Sequence, residues 1–283
     1  MSNLTVRILV AVVGIPLILL LTLAGGFYFF CFIALVSGIG LNEYYALAQA
    51  KGLRPQRWLG LLFGFCVNAA FMFEKVQSLL GEWLPESMAQ LFLIEFLLFV
   101  PLILFVELFR NNGSALNNIA STLAGVCYVS VCLGSLVAIR ELFPLNESWG
   151  AYTVIAVFAS IWICDSAAYF AGTNFGKHKL FERVSPNKTW EGTIAGFIGA
   201  VAGFVVAQSI ALPFMLMTDA IICGCIVGVF GQLGDMVESL LKRDAGVKDS
   251  SSLIPGHGGV LDRFDSLIIA SPLIFFYLNF VVF

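Results

Sequence analysis

The chain is 283 residues long, 59% of them hydrophobic and only 12% charged, with a mean hydropathy of +0.94. A water-soluble domain of this length has no reason to reach such values, so the composition excludes one and points to a polytopic membrane protein. The formal net charge of −3 carries no information on partners, because in such a chain the place of each charge matters more than the sum, and no nucleic acid is expected among them.

A hydrocarbon core of roughly 30 Å takes about 20 apolar residues per helix, and runs of that order punctuated by charge, Gly and Pro predict nine spans. In chain order they are Ile8 to Ala24, Phe27 to Ala46, Trp58 to Phe73, Met88 to Phe109, Ile119 to Ile139, Tyr152 to Ala171, Thr193 to Pro213, Thr218 to Leu241 and Phe264 to Phe280. The first, with Arg7 before it, has a signal peptide's basic flank, but its run is too long and Thr22-Leu23-Ala24 is a poor cleavage site, so it reads as a retained span. The fold class expected is therefore an all-α polytopic membrane domain covering 1–283, with 1–150 as scaffold and lipid-facing part and 151–283 as catalytic part.

Basic residues of short loops stay in the cytoplasm. With the N-terminus inside, nine spans put Arg7, Lys51, Arg54, Arg57, Arg110, Lys177, Lys179, Arg183, Lys188, Lys242, Arg243, Lys248 and Arg263 on the cytoplasmic side, and only Lys75 and Arg140 of the 15 outside. The C-terminus then lies outside. Cys31, Cys66, Cys127, Cys132, Cys164, Cys223 and Cys225 show no metal-binding spacing and read as small apolar residues.

Carboxylates near or inside spans are costly, and each is a candidate for function. Asp165 falls near the cytoplasmic end of the sixth span. Asp235 and Glu238 share a helix face near the end of the eighth, Asp235 roughly 9 Å below the surface at about 1.5 Å per residue. Asp262 and Asp265 repeat that spacing at the start of the ninth. Separate segments thus deliver carboxylates to one depth on one face, an arrangement that calls for a hard cation accepting carboxylate and phosphate oxygens, Mg2+. Glu95 and Glu107 in the fourth span have only Arg110 for company and read as helix contacts. Asn42 and Glu43 are candidates only for structure or lipid contact.

The loop between the sixth and seventh spans, GTNFGKHKLFERVSPNKTWEG, carries Lys177, His178, Lys179, Arg183 and Lys188, enough cationic groups to offset a triphosphate or to meet anionic lipid. The densest polar segment runs from Ser239 to Asp265, SLLKRDAGVKDSSSLIPGHGGVLDRFD, with both signs of charge and a Gly-His-Gly-Gly turn whose glycines permit close backbone approach to a ligand. Its constrained positions, S-x-L-K-R, four residues, then K-D-x-S-x-x-I-P-x-H-G-G-V-x-D-R-F-D, resemble the signature of the phosphatidate cytidylyltransferases (CDP-diacylglycerol synthases). S-P-N-K-T-W-E-G and the stretch from Asp165 to Tyr169 with Gly172 and Gly176 are similar to two further blocks of that family, with Asn187 where the family usually has a basic residue. The likeness covers about 156–283.

The resemblance implies transfer of the cytidylyl group of CTP to phosphatidic acid, giving CDP-diacylglycerol and pyrophosphate at the cytoplasmic face of the inner membrane. It implies Asp235 and Asp262 as metal ligands, with Asp265 or Asp165 as a further ligand or directly behind one. One or two Mg2+ ions, or a second, different cation, fit that set. Lys242, Arg243, Lys248 and Arg263 become phosphate clamps, Ser239, Asp249 and His257 orienting groups, and Lys188, Gly258 and Gly259 substrate contacts. A homodimer is compatible with this reading. An ion-coupled transporter would instead show midplane carboxylates and paired repeats, and a CDP-alcohol phosphotransferase the string D-G-x-x-A-R; none of these is seen.

Overall fold

The computed structural model describes residues 3–81, 84–256 and 258–282, with side chains from Val10 onward. The helices are α1 (Asn3–Ala24), α2 (Gly26–Ala50), α3 (Arg57–Ala70), α4 (Phe73–Leu80), α5 (Met88–Arg110), α6 (Ala115–Glu141), α7 (Glu147–Phe175), α8 (Trp190–Ala211), α9 (Met217–Asp244) and α10 (Leu261–Val282). Between α7 and α8 lies a hairpin, β1 (Lys179–Phe181) antiparallel to β2 (Ser185–Thr189), in the loop read from sequence only as polar. Each of the nine predicted spans coincides with a helix. Among the described residues seven helices are long and apolar enough to cross a membrane, and eight if α3 and α4, bent by 92°, make one span. α1, with its apolar stretch Val10–Ala24, is counted in neither number. Among the described residues π turns occur in α6 at Val126–Val131, in α9 at Val227–Gly231 and in α10 at Leu278–Val282.

By contact density the chain forms two units, 1–138 with 244–263, and 139–243 with 264–283. In the first, α2 buries a row at every fourth residue, Phe29, Ile33, Ser37, Leu41 and Tyr45. The facing row on α3 has the same spacing and almost no side chains: Gly60 lies against the Tyr45 ring, Gly64 against Leu41, and Asn68 donates from Nδ2 to Ser37 Oγ at 3.1 Å. Matched rows four residues apart are the condition for close interdigitation of two helices. Without an apolar driving force in lipid, small residues supply the packing by letting backbones approach. Glu107 behaves as the helix contact expected of it, accepting from Gln56 Nε2 at 2.8 Å, Asn118 Nδ2 at 2.7 Å and Arg110 Nη1 at 2.9 Å.

In the second unit α8 presents Gly192, Gly196 and Gly203 to α7. A Cβ on Gly192 would stand 2.7 Å from the Ala168 carbonyl oxygen, and one on Gly196 3.0 Å from that of Cys164. From the other side, α9 brings Gly224 to 2.6 Å from Val201 Cα and Gly228 to 3.1 Å from Phe197 Cα, again measured to the Cβ each lacks. Gly234 closes α9 onto α10, its missing Cβ 2.5 Å from the carbonyl oxygen of Asp265. The glycines thus set the helices that bear Asp165, Asp235 and Asp265 at near-minimal separation.

Candidate active site

The second unit contains a cleft of about 540 Å³ lined by Asp165, Tyr169 and Gly172 of α7, Asn187, Lys188 and Thr189 of β2, Thr193 of α8, and Gln232 and Asp235 of α9, among others. Its polar groups are held by short local devices. Thr189 caps α8 by accepting the Gly192 N–H at 3.2 Å, which fixes the end of β2 and with it Lys188. Glu191, in the first turn of α8, accepts the N–H groups of Lys177 at 3.1 Å and His178 at 3.3 Å and meets His178 Nδ1 at 2.6 Å, tying the incoming strand to the helix. Gln232 donates from Nε2 to the carbonyls of Gly228 at 2.6 Å and Thr193 at 3.1 Å, locking α9 to α8 one turn before Asp235.

Into this frame Lys188 projects its ammonium group, 2.8 Å from Asp235 Oδ2 and 3.4 Å from the Gln232 carbonyl oxygen. Ser239 Oγ donates to the other oxygen of Asp235 at 3.3 Å. Asp265 lies within Coulombic reach of Asp235, Asp165 and Lys188 and accepts the Ser266 N–H at 2.7 Å. Lys188 and Ser239 thus meet at Asp235, Asp165 stands on the wall of the same cleft, and Asp265 lies within Coulombic reach of them. Among the other cations of the hairpin, Lys179 is spent on the Pro186 carbonyl at 2.7 Å and Arg183 sits over the Phe181 ring, 5.6 Å from its centroid.

The remaining signature residues belong to the first unit. Asp262 uses Oδ2 to accept the Ser250 N–H at 2.9 Å and the Gly259 N–H at 2.7 Å, and it shares the one proton of the Ser250 hydroxyl, 2.8 Å away, with Glu43. Gly258 has a φ of +82° and would set a Cβ 2.8 Å from that same oxygen, so the turn requires glycine there. At Gly259 a side chain would meet Ser250 Oγ and, at 2.5 Å, Glu43 Oε2. Both glycines are thus needed by the loop's own packing. Lys248, Asp249 and Arg263 are exposed, as is Arg243 at the end of the second unit, whereas Lys242 is buried and paired with Glu238 one turn earlier on α9. His257 lies outside the described residues.

Sequence reasoning allowed Glu43 a structural part and did not foresee its partners. Buried on α2 with 4% exposure, it accepts at Oε1 from Ser251 Oγ at 2.6 Å and Val260 N at 3.0 Å, and at Oε2 from Ser250 Oγ at 3.0 Å and Leu261 N at 2.7 Å. The available signal was the expense of a carboxylate inside an apolar run; its partners, more than 200 residues away, left none.

Residues 5–281 match the Cytidylyltransferase family. The chain is 35% identical to a phosphatidate cytidylyltransferase of Synechocystis over 96% of each chain, and 31% identical to one of Bacillus subtilis over 98% of each. A Brucella suis protein of the same name is 35% identical over 98% of this chain and 94% of its own.

Proposed function

The chain belongs to the cytidylyltransferase family and is a nucleotidyltransferase making CDP-diacylglycerol from CTP and phosphatidate; from that premise we propose that the chemistry is centred on the cleft of Asp165, Lys188 and Asp235. The observation that carries this reading is the Lys188 ammonium beside Asp235 in a cleft that also has Asp165 on its wall. A cationic donor and two carboxylates facing one cavity suit a ligand that is polyanionic and brings its own cation.

No three His, Cys, Asp or Glu side chains stand together as a ready-made metal cage among the described residues. Mg2+ does not ask for one, since it commonly takes one or two protein carboxylates and completes its shell with substrate phosphates and water. Asp235 and Asp165 fit that need and would hold it, with Asp265 behind them; when bound, the ion would neutralise charge on the triphosphate. Asp262 keeps a proposed metal role on the strength of its signature alone.

The attacking group is a phosphate monoester with a second pKa of about 6, already ionised at neutral pH, so no general base is required. What the residues must supply is alignment of two anions and compensation of the charge that grows on departing pyrophosphate. Lys188 is proposed to do this within the cleft, and the exposed Arg243, Lys248 and Arg263 to clamp phosphates, with Ser239, Asp249 and His257 as orienting groups. Burial of Lys242 against Glu238 supports a structural part for that lysine instead. A second, more apolar cleft of about 590 Å³, lined by Phe181, Ile194, Phe197, Val229 and Met236, shares Thr193 and Gln232 with the first, which supports an acyl chain lying beside the headgroup. The charge segregation along the sequence supports an active site facing the cytoplasm.

The test is pyrophosphate release from purified protein given phosphatidate, Mg2+ and each of the four ribonucleoside triphosphates. Release is expected with CTP alone and is abolished in Asp235→Asn, whose amide keeps the packing but loses the charge. Near-normal turnover by a monodisperse Asp235→Asn protein would remove that residue from the site.

A further inference from the structure

The loop from Asp249 to Asp262 contains much of the signature. It has two glycines with positive φ, Gly256 and Gly258, and an isolated bridge in which Ile254 N donates to Gly258 O at 2.9 Å. Polar and glycine-rich segments of this kind hold one shape only if something outside them accepts their donors. Glu43 does so from a different helix, taking two backbone N–H groups and two hydroxyls. Two of those donors, Val260 and Leu261, stand at the start of α10, where the helix dipole strengthens the hold of a carboxylate. The other two, Ser250 and Ser251, are at the opposite end of the loop, so a single buried side chain ties both ends together. Asp262 repeats the tie from inside by bridging Ser250 and Gly259.

We propose that Glu43 is a positioning residue for turnover: it touches no substrate, and it sets the shape in which the loop presents Lys248, Asp249 and Arg263. This rests on the reading of the loop as part of the substrate machinery, and it makes a distinct claim about which property of Glu43 matters. A side chain that merely fills space is replaced best by its isostere. A side chain that must accept four hydrogen bonds is not, because the amide nitrogen of glutamine would face donors with a donor.

The experiment compares Glu43→Gln and Glu43→Asp in detergent-purified protein, reading kcat and KM for CTP together with hydrogen exchange of peptides covering 249–262 and 160–175. Glu43→Gln is expected to lower kcat at least tenfold and to speed exchange in 249–262 only, with Glu43→Asp retaining more activity than Glu43→Gln. The reverse order of the two variants, or unchanged exchange in the loop, would overturn the proposal. Ser251→Ala, which deletes one 2.6 Å donor and leaves the carboxylate in place, decides the matter if Glu43→Gln does not accumulate. It should raise loop exchange and cut kcat severalfold, and a silent Ser251→Ala would then count against the idea. Asp235→Asn is run in parallel: its activity bears on the cleft assignment, whereas loop exchange is read without turnover.

Discussion

Gly234→Ala offers a direct measure of how closely the helices of the second unit must approach. The added Cβ would stand 2.5 Å from the Asp265 carbonyl oxygen and 3.2 Å from Ser266 Cα. Carbon–oxygen contacts settle at about 3.3 Å or beyond, so α9 and α10 must part by close to ~1 Å. Overpacking of this order costs about 1–3 kcal/mol, against roughly 1 kcal/mol gained from the better helix propensity of alanine. Thermal stability should therefore fall only slightly. Turnover is the sharper readout, because Asp235 and Asp265 flank the contact and a displacement near ~1 Å can cost about a hundredfold in rate. We expect kcat with CTP and phosphatidate to drop by between ~10- and ~100-fold. Gly231→Ala is the control on the same interface: its Cβ would lie 3.7 Å from Ser266 Cβ, an ordinary contact, and the variant should turn over like the parent. If Gly234→Ala matched Gly231→Ala in kcat, the claim that close packing of α9 on α10 positions the carboxylates would be wrong.

Arg243→Lys and Arg263→Lys should each insert normally and lose at least tenfold in turnover, since an ammonium cannot reproduce a guanidinium's paired grip on phosphate oxygens; parental kcat in both would remove the clamp assignment. Lys242→Gln should act instead on stability, lowering the unfolding temperature because it leaves the buried Glu238 carboxylate without its ion pair, a loss of about 3–5 kcal/mol in comparable settings. Single cysteines at Lys51 and Arg183 should react with impermeant reagents only from the cytoplasmic side, and labelling from the opposite face would reverse the orientation argued from charge.

The helices were legible because lipid imposes a simple demand, a run of apolar residues long enough to cross it, and that demand is written locally. Where structure departs from the reading, the cause is not local. The third run breaks between Ala70 and Phe73 at Phe71-Met72, a pair with neither proline nor glycine to announce a bend. The hairpin was missed because its strands are three and five residues long and the second contains Pro186. At the site, Asp165 and Asp235 could be named in advance, as carboxylates in or beside spans carry a cost that must be explained, and Lys188 could be named from the family block S-P-N-K-T-W-E-G. The spacing glycines could not be assigned, since each is defined by the backbone it faces. Glu43 shows the same limit from the other side: the sequence exposes the expense of burying it and hides the four donors that offset it.

The π turn at Val227–Gly231 gives α9 a fixed phase offset. A regular helix advances about 100° per residue, and a wider turn accommodates one more residue before the ladder resumes, so everything beyond it is rotated relative to an uninterrupted α-helix. Before the turn, Gly224 is keyed to α8; after it, Gly234 is keyed to α10 while Asp235 faces the cleft. Removing one residue from this stretch would leave composition and hydropathy almost untouched and still yield a helix of crossing length. It would also turn the whole polar end, from Gln232 to Arg243, out of step with its neighbours. The angular bearing of Asp235 is thus decided two turns upstream, in a stretch with no ionisable side chain.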